Sequence, residues 1–222
     1  MRLEPISWEL LTEELADHVA EQAAAPGDGS AWRRVAVDGP PPARPGALAE
    51  RLAAELRLRG LPSLVVDADG FVRAASLRLE FGKRDPDAYY DIWYDTGALW
   101  REVFGPLDAG GDGRVLPDLR TVADDRPTRS PYVQIPPGGV MLLHGPLLLG
   151  RGFPFDLSVH MGLSEAALER QTPADERWKL PAFARYDAEV APQETADVFV
   201  RTAGSRNPAW SGPPRRVPPP PD

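Results

Sequence analysis

The chain has 222 residues, with Lys+Arg 25 against Asp+Glu 33 and a formal net charge of −8. That length suits one globular domain with a full core, and the acidic balance argues against diffuse attraction to nucleic acid or anionic membrane. The absence of cysteine excludes disulfides, thiolate metal sites and cysteine nucleophiles together.

The first residues carry acids through their apolar stretch and lack a signal-peptide core. No segment approaches the ~18 to 20 apolar residues needed to cross a bilayer, so cytoplasm is the expected compartment. Ser7 to about Ala24 reads as an amphipathic helix, with Ser7 as cap and Leu10, Leu11, Leu15 and Val19 at helical spacing. Residues 1–30 are therefore expected to form a helix and loop packed on the domain. The run from Arg34 to Gly39 is a short apolar strand ending in glycine, and Leu48 to Leu58 is helical, which together open a β-loop-α unit. Leu64, Val65 and Val66 form a second buried strand, with Asp69-Gly70-Phe71 at its carboxyl end. Val140 to Leu143, Leu157 to Met161 and Ala196 to Val200 supply three more strands. Helices are predicted at Asp95 to Phe104, Ser164 to Gln171 and around Pro181 to Val190, with Asp95 and Ser164 as N-caps.

Apolar runs that do not alternate, separated by helical patterns, indicate a parallel sheet covered on both faces. The fold predicted for residues 31–202 is thus a three-layer α/β/α arrangement with a mainly parallel five-stranded sheet. From Ala203 onward proline dominates, and residues 203–222 read as a disordered or polyproline tail. Basic residues are almost all arginine, Lys83 and Lys179 being the exceptions. With abundant Ala, Gly and Pro, this resembles the coding bias of a GC-rich bacterial genome.

Ligands of an open parallel sheet bind beyond the carboxyl ends of its strands. A working phosphate loop there reads G-x-x-x-x-G-K-[ST]: backbone N–H groups cradle phosphates, Lys neutralises them, and the hydroxyl holds Mg²⁺. On that template Gly39 to Gly46 keeps only the first glycine. Arg44 stands at the second glycine, Pro45 at the lysine and Gly46 at the hydroxyl. Pro40, Pro41, Pro42 and Pro45 have no N–H to offer an anion. Pro45 is nonetheless comfortable in the first turn of the following helix. Arg44 supplies a positive charge, but neither an amide nest nor a metal ligand.

Four segments together resemble the uridine kinase and phosphoribulokinase group of P-loop kinases, especially the uridine kinase-like proteins of actinobacteria, over about residues 33–208. They are the strand and turn Val35 to Gly39 with the helix Ala47 to Leu52; Asp69-Gly70-Phe71-Val72-Arg73, similar to D-[DG]-F-[YH]-R; Asp85 to Asp91 with Asp95 to Leu99, similar to P-D-A-[FY] and D-x-x-x-L; and Ala196 to Val200, similar to A-D-V-V-V. The resemblance implies a P-loop NTPase fold of the nucleoside kinase type, with Asp69 as the base that takes the acceptor's proton. It implies an acceptor pocket lined by Phe71, Arg73, Arg84, Tyr89, Tyr90 and Asp91. On the nucleotide side it implies a vestigial set of Gly39, Arg44 and Gly46, with Arg170 and Arg177 from a lid. ATP and Mg²⁺ are cofactors only on the kinase reading. His144-Gly145 stands where active relatives place an acid before Gly, and the lid is interrupted by Pro173 and diluted by acids.

Each residue type also has a plainer role. Asp69 could be a turn aspartate, Tyr89, Tyr90 and Trp93 could be core aromatics, and Arg73, Lys83 and Arg84 a solvated charge run. His144 and His160 lack metal-ligand spacing and read as packed or hydrogen-bonded histidines, so no metal site is expected. Two functions stay open. One is ATP-dependent phosphoryl transfer to a nucleoside-type hydroxyl. The other is a pseudokinase that binds a nucleoside-like metabolite or a protein partner.

Overall fold

The structure, a computed structural model, describes residues 3–24, 31–202 and 207–212. Among these the strands, in chain order, are β1 (Glu4–Pro5), β2 (Arg33–Asp38), β3 (Ser63–Asp67), β4 (Arg114–Val115), β5 (Val133–Gln134), β6 (Val140–Gly145), β7 (Leu157–Gly162), β8 (Val198–Arg201) and β9 (Ala209–Ser211). The main sheet has the order β1-β9-β8-β7-β2-β6-β3. Its five strands from β8 to β3 are all parallel, and they are the five expected from the sequence.

Two antiparallel edge strands extend that sheet, β9 on β8 and β1 on β9. Here the structure departs from the reading of 203–222 as an unpacked tail. The prolines of that segment fall at Pro208 and from Pro213 onward, so Ala209, Trp210 and Ser211 keep their N–H groups and can pair. Trp210 packs against the core, and Ile6 N–H donates to Pro208 O at 3.0 Å. Residues 25–30, 203–206 and 213–222 of the predicted loop and tail lie outside the described residues. The short ribbon β4–β5 was not anticipated either.

The helices are α1 (Trp8–Ala24), α2 (Pro45–Leu58), α3 (Ala75–Arg78), α4 (Pro86–Asp91), α5 (Thr96–Leu99), α6 (Glu165–Gln171), α7 (Leu180–Glu189) and α8 (Pro192–Thr195). Predicted caps form at Ser7, Asp95 and Ser164, whose side chains accept the N–H of Leu10, Ala98 and Ala167. Beyond α5 the chain continues as a wider π turn over Trp100–Phe104. Leu10, read as part of the apolar stripe, is 47% exposed, and Leu11, Leu15, Ala16 and Val19 carry the buried face instead.

The alternation of β2 divides the core in two. Val35 and Val37 join α1 and α2 on one side, in a cluster holding Leu48, Leu52, Leu56, Leu142 and Val159. Ala36 faces the other side, with Met141, Leu143, Tyr89, Trp93 and Phe183. Helices therefore cover both faces of the sheet, as a buried parallel sheet requires. Among the described residues no helix is long and apolar enough to cross a membrane.

Candidate functional site at the carboxyl edge of the sheet

In register, β2 ends with Asp38 beside Gly145 of β6 and His160 of β7, and Asp67 of β3 stands beside His144. The loop from Gly39 to Gly46 rises from this edge. Gly39 is required by close approach, since a Cβ there would stand 2.5 Å from Met161 O. Residues Pro41–Ala43 form one tight helical turn. It is closed by Ala43 N–H donating to Pro40 O at 2.8 Å and Arg44 N–H donating to Pro41 O at 3.0 Å, while Gly39 N–H donates to Gly145 O at 3.1 Å. Of eight residues, four are proline, and three of the other four spend their N–H on backbone carbonyls. Arg44 adopts a left-handed backbone (φ 62, ψ 52), a conformation glycine takes without strain. The next residue, Pro45, opens α2. A Cβ at Gly46 would meet the His144 ring at 3.0 Å, so the imidazole lies against the position where a working loop carries its hydroxyl residue.

Next along the edge, Asp67 accepts the Asp69 N–H at 2.9 Å, and His144 Nδ1 lies 3.8 Å from its carboxylate. Asp69 accepts the Tyr94 hydroxyl at 2.9 Å. Its outer edge meets solvent, while protein crowds the inner edge. Desolvation by that protein, and next the charge of Asp67, push its carboxyl above the ordinary aspartate range; the Tyr94 bond, Lys179 and His144 pull the other way. Gly70 is fixed sterically, because a Cβ would fall 2.7 Å from Asp118 Cβ.

The residues implied as an acceptor pocket separate into three groups. Phe71 is fully buried, and its carbonyl accepts the Asp95 N–H at 2.7 Å. Tyr89 is 1% exposed, wedged among Trp93, Tyr94, Trp178 and Phe183 with ring centroids 5.4 to 6.2 Å away; burial raises its phenol well above the ordinary value. Tyr90 and Asp91 are engaged by α7: the Arg185 guanidinium lies 4.2 Å from the Tyr90 ring and 2.9 Å from the Asp91 carboxylate, and the Tyr90 hydroxyl donates to Glu189 at 3.1 Å. Arg73 is half-buried, with its N–H on Trp93 O, and Arg84 is exposed. Arg170 and Arg177 cap their own segment, donating to Ala166 O and Thr172 O; no hydrogen bond joins either to 39–46 among the described residues.

Two features were missed by sequence reasoning. Lys179, two residues beyond the segment implied as a lid, carries a charge that acts on Asp69. Its ammonium lies 5.0 Å from the Tyr89 ring and 5.5 Å from the Trp178 ring and pairs with Glu176. A lysine kept next to a tryptophan in an arginine-rich chain was the available signal.

The second feature is a polar cluster under the loop. Asp38, fully buried, accepts Leu148 N–H at 2.9 Å, His160 Nδ1–H at 2.6 Å and the Tyr186 hydroxyl at 3.0 Å. The Tyr186 oxygen in turn accepts Leu149 N–H; burial, then the Asp38 charge, raise its phenol far above the ordinary value. A cavity of about 30 Å³ lies beside it, lined by Gly39, Pro40, His160, Phe183, Tyr186 and Asp187, room for a water or two. No group of three or more His, Cys, Asp or Glu that could hold a metal occurs among the described residues.

No family model matches the sequence, and no curated protein matches it. Solved structures do. A possible uridine kinase from Bacillus stearothermophilus superposes with TM-score 0.65 at 18% identity, over 86% of this chain and 98% of that one. A protein described as a fructose transport system kinase, from Silicibacter sp., gives 0.56 at 25% identity over 86% and 90%. D-glycerate 3-kinase from Cryptococcus neoformans gives 0.53 at 12% identity over 88% and 95%. Their common architecture is the P-loop kinase fold, and this chain has it.

Proposed function

We propose that this chain, on a P-loop kinase fold, is a binding protein for a nucleoside-like, hydroxyl-bearing metabolite at the Asp69 cleft and does not transfer phosphate from ATP. The carrying observation is the loop, where four residues lack an N–H and three of the remaining N–H groups are already bonded to backbone carbonyls. An anion cradle needs several convergent free donors, and neither the Lys nor the Ser/Thr of a working loop is present.

The acceptor side supports the other half of the reading. Asp69 offers a carboxylate to a ligand hydroxyl, with Tyr94 fixing one oxygen. Lys179 sets a positive charge nearby, and Trp178, part-exposed, supplies an aromatic wall continuous with Tyr89 and Trp93. A site of this kind binds by a few placed polar groups on an apolar surface. The second reading, phosphoryl transfer, rests on the same Asp69, whose raised carboxyl suits a general base.

Calorimetric titration with uridine, with and without MgATP, tests the proposal on the wild type and on Asp69→Asn. Expected are binding heat with the wild type, loss of that heat in Asp69→Asn, indifference to MgATP and no ADP release. Uridine-dependent ADP formation would establish the kinase instead, and absence of any uridine heat would sink the nucleoside reading.

A further inference from the structure

On its outer side the same loop borders a different cavity, of about 130 Å³, between the start of α1 and the start of α2. Trp8, Arg44, Ala47, Leu48, Arg51 and Met161 line it. Neither Asp69 nor Lys179 takes part, so this cavity is independent of the acceptor cleft.

The charge of this cavity is unbalanced. Several arginines elsewhere are matched: Arg59 by Asp17 and Glu55, Arg78 by Asp125, Arg185 by Asp87, Asp91 and Glu189. Arg44 and Arg51 form no ion pair with a carboxylate among the described residues, although the protein carries a net charge of −8. Both line the cavity, Arg51 from within α2 and Arg44 from the residue that precedes that helix. The Arg51 guanidinium lies 5.9 Å from the centre of the Trp8 ring, within cation–π range.

Arg44 also holds its place at a cost. Its left-handed backbone disfavours any residue with a Cβ by about 1 kcal/mol or more. Glycine would make the same turn without that strain, yet the side chain present is a cation bordering the cavity. Backbone strain of this sort clusters at ligand clamps.

The floor and walls fix the rest of the ligand. Ala47, Leu48 and Met161 are apolar, Trp8 is aromatic, and an apolar cavity of roughly 150 Å³ holds one benzene ring. Paired guanidiniums at the rim match the oxygens of a carboxylate or phosphate. We propose that this cavity is a binding site for a small anion built on a single planar ring, a ring carboxylate or a ring phosphate ester, seated on Trp8 and clamped by Arg44 and Arg51.

The test titrates the full chain with phenyl phosphate, benzoate, inorganic phosphate and benzyl alcohol, using heat and tryptophan fluorescence. Expected is saturable binding of phenyl phosphate or benzoate, whichever anion the clamp prefers, with inorganic phosphate and benzyl alcohol each at least about tenfold weaker. Arg44→Gly relieves the backbone strain, so it should melt no lower than the wild type while losing about tenfold or more in affinity. Arg51→Met should lose a similar factor, and Asp69→Asn should bind the ring anions like the wild type. The proposal is overturned by no saturation with either ring anion up to about 5 mM, by equal binding of benzyl alcohol, or by unchanged affinity in both arginine variants.

Discussion

Adding MgATP is the most direct challenge to the reading of the loop, and its size can be worked from the hydrogen bonds. Gly39, Ala43 and Arg44 spend their N–H groups on Gly145, Pro40 and Pro41 carbonyls. Three charge-assisted bonds at about 1.5 to 3 kcal/mol each amount to about 4.5 to 9 kcal/mol withheld from a bound phosphate. At about 1.4 kcal/mol per decade this is three to six orders of magnitude, so a loop that would otherwise hold MgATP near 10 μM is left at about 10 mM or weaker. With MgATP at 1 mM, stabilisation by about RT ln(1 + [L]/Kd) is then below ~0.1 kcal/mol, against ~2.7 kcal/mol for an intact loop at a hundredfold excess over Kd. For a chain of this length 1 kcal/mol moves the melting temperature by about 2 to 4 °C. A thermal melt should therefore shift by less than about 0.5 °C, where an intact site would give roughly 5 to 11 °C. A shift above about 5 °C would refute the argument, because the amides counted as spent would have to be available.

Three further outcomes are expected. Asp38→Ala leaves the Leu148 N–H, His160 Nδ1–H and Tyr186 hydroxyl without their shared acceptor, and urea titration should show a loss of about 3 to 5 kcal/mol; a loss under ~1 kcal/mol would mean that the cluster rearranges freely. Asp125 is held below the ordinary aspartate range first by the Ala75 N–H and also by Arg78 and Arg120. Its contribution is complete above the unfolded value of about 4 and disappears as pH falls through the lower folded value, so Asp125→Asn should flatten the acid limb of a stability profile. Asp69 has the opposite sign: its carboxyl is raised, so ionising it costs stability as pH rises from about 4 through the folded value. Asp69→Asn should remove that decline and melt higher than the wild type near neutral pH, and an unchanged profile would place the carboxylate in a water-like setting.

The parallel strands could be read from the chain because each is an uninterrupted apolar run, and burial on both faces leaves no other use for such a run. The edge strands could not. Glu4–Pro5 is two residues long, and Ala209–Ser211 lies between prolines, so neither carries a pattern of its own; each pairs only because an open sheet edge is already there. Asp69 was singled out by its place after a strand together with the family resemblance, whereas Lys179, whose charge acts on it, comes from about 110 residues away, beyond any local spacing rule. Asp38 illustrates the same limit. No local pattern pairs this acid, because its partners, His160 and Tyr186, come from two distant elements. The plain reading of His160 as a packed or hydrogen-bonded histidine did not name its acceptor, Asp38.

The placement of these polar groups explains how such a loop and its scaffold coexist. A phosphate loop in working order exposes free N–H groups that only a ligand or water satisfies. In this chain the corresponding segment closes on itself through Pro40 O and Pro41 O, and Pro45 sits at a helix position that donates no internal bond. Beneath it, Asp38 ties β2 to β7, α7 and the segment after β6 through side chains, bonds that need no ligand. The turn at Pro41–Ala43 and the Asp38 cluster are thus each satisfied internally, and the loop's own cation, Arg44, borders the opposite cavity. A segment so arranged can keep its shape with no nucleotide bound, which is the physical condition a binding protein on a kinase scaffold has to meet.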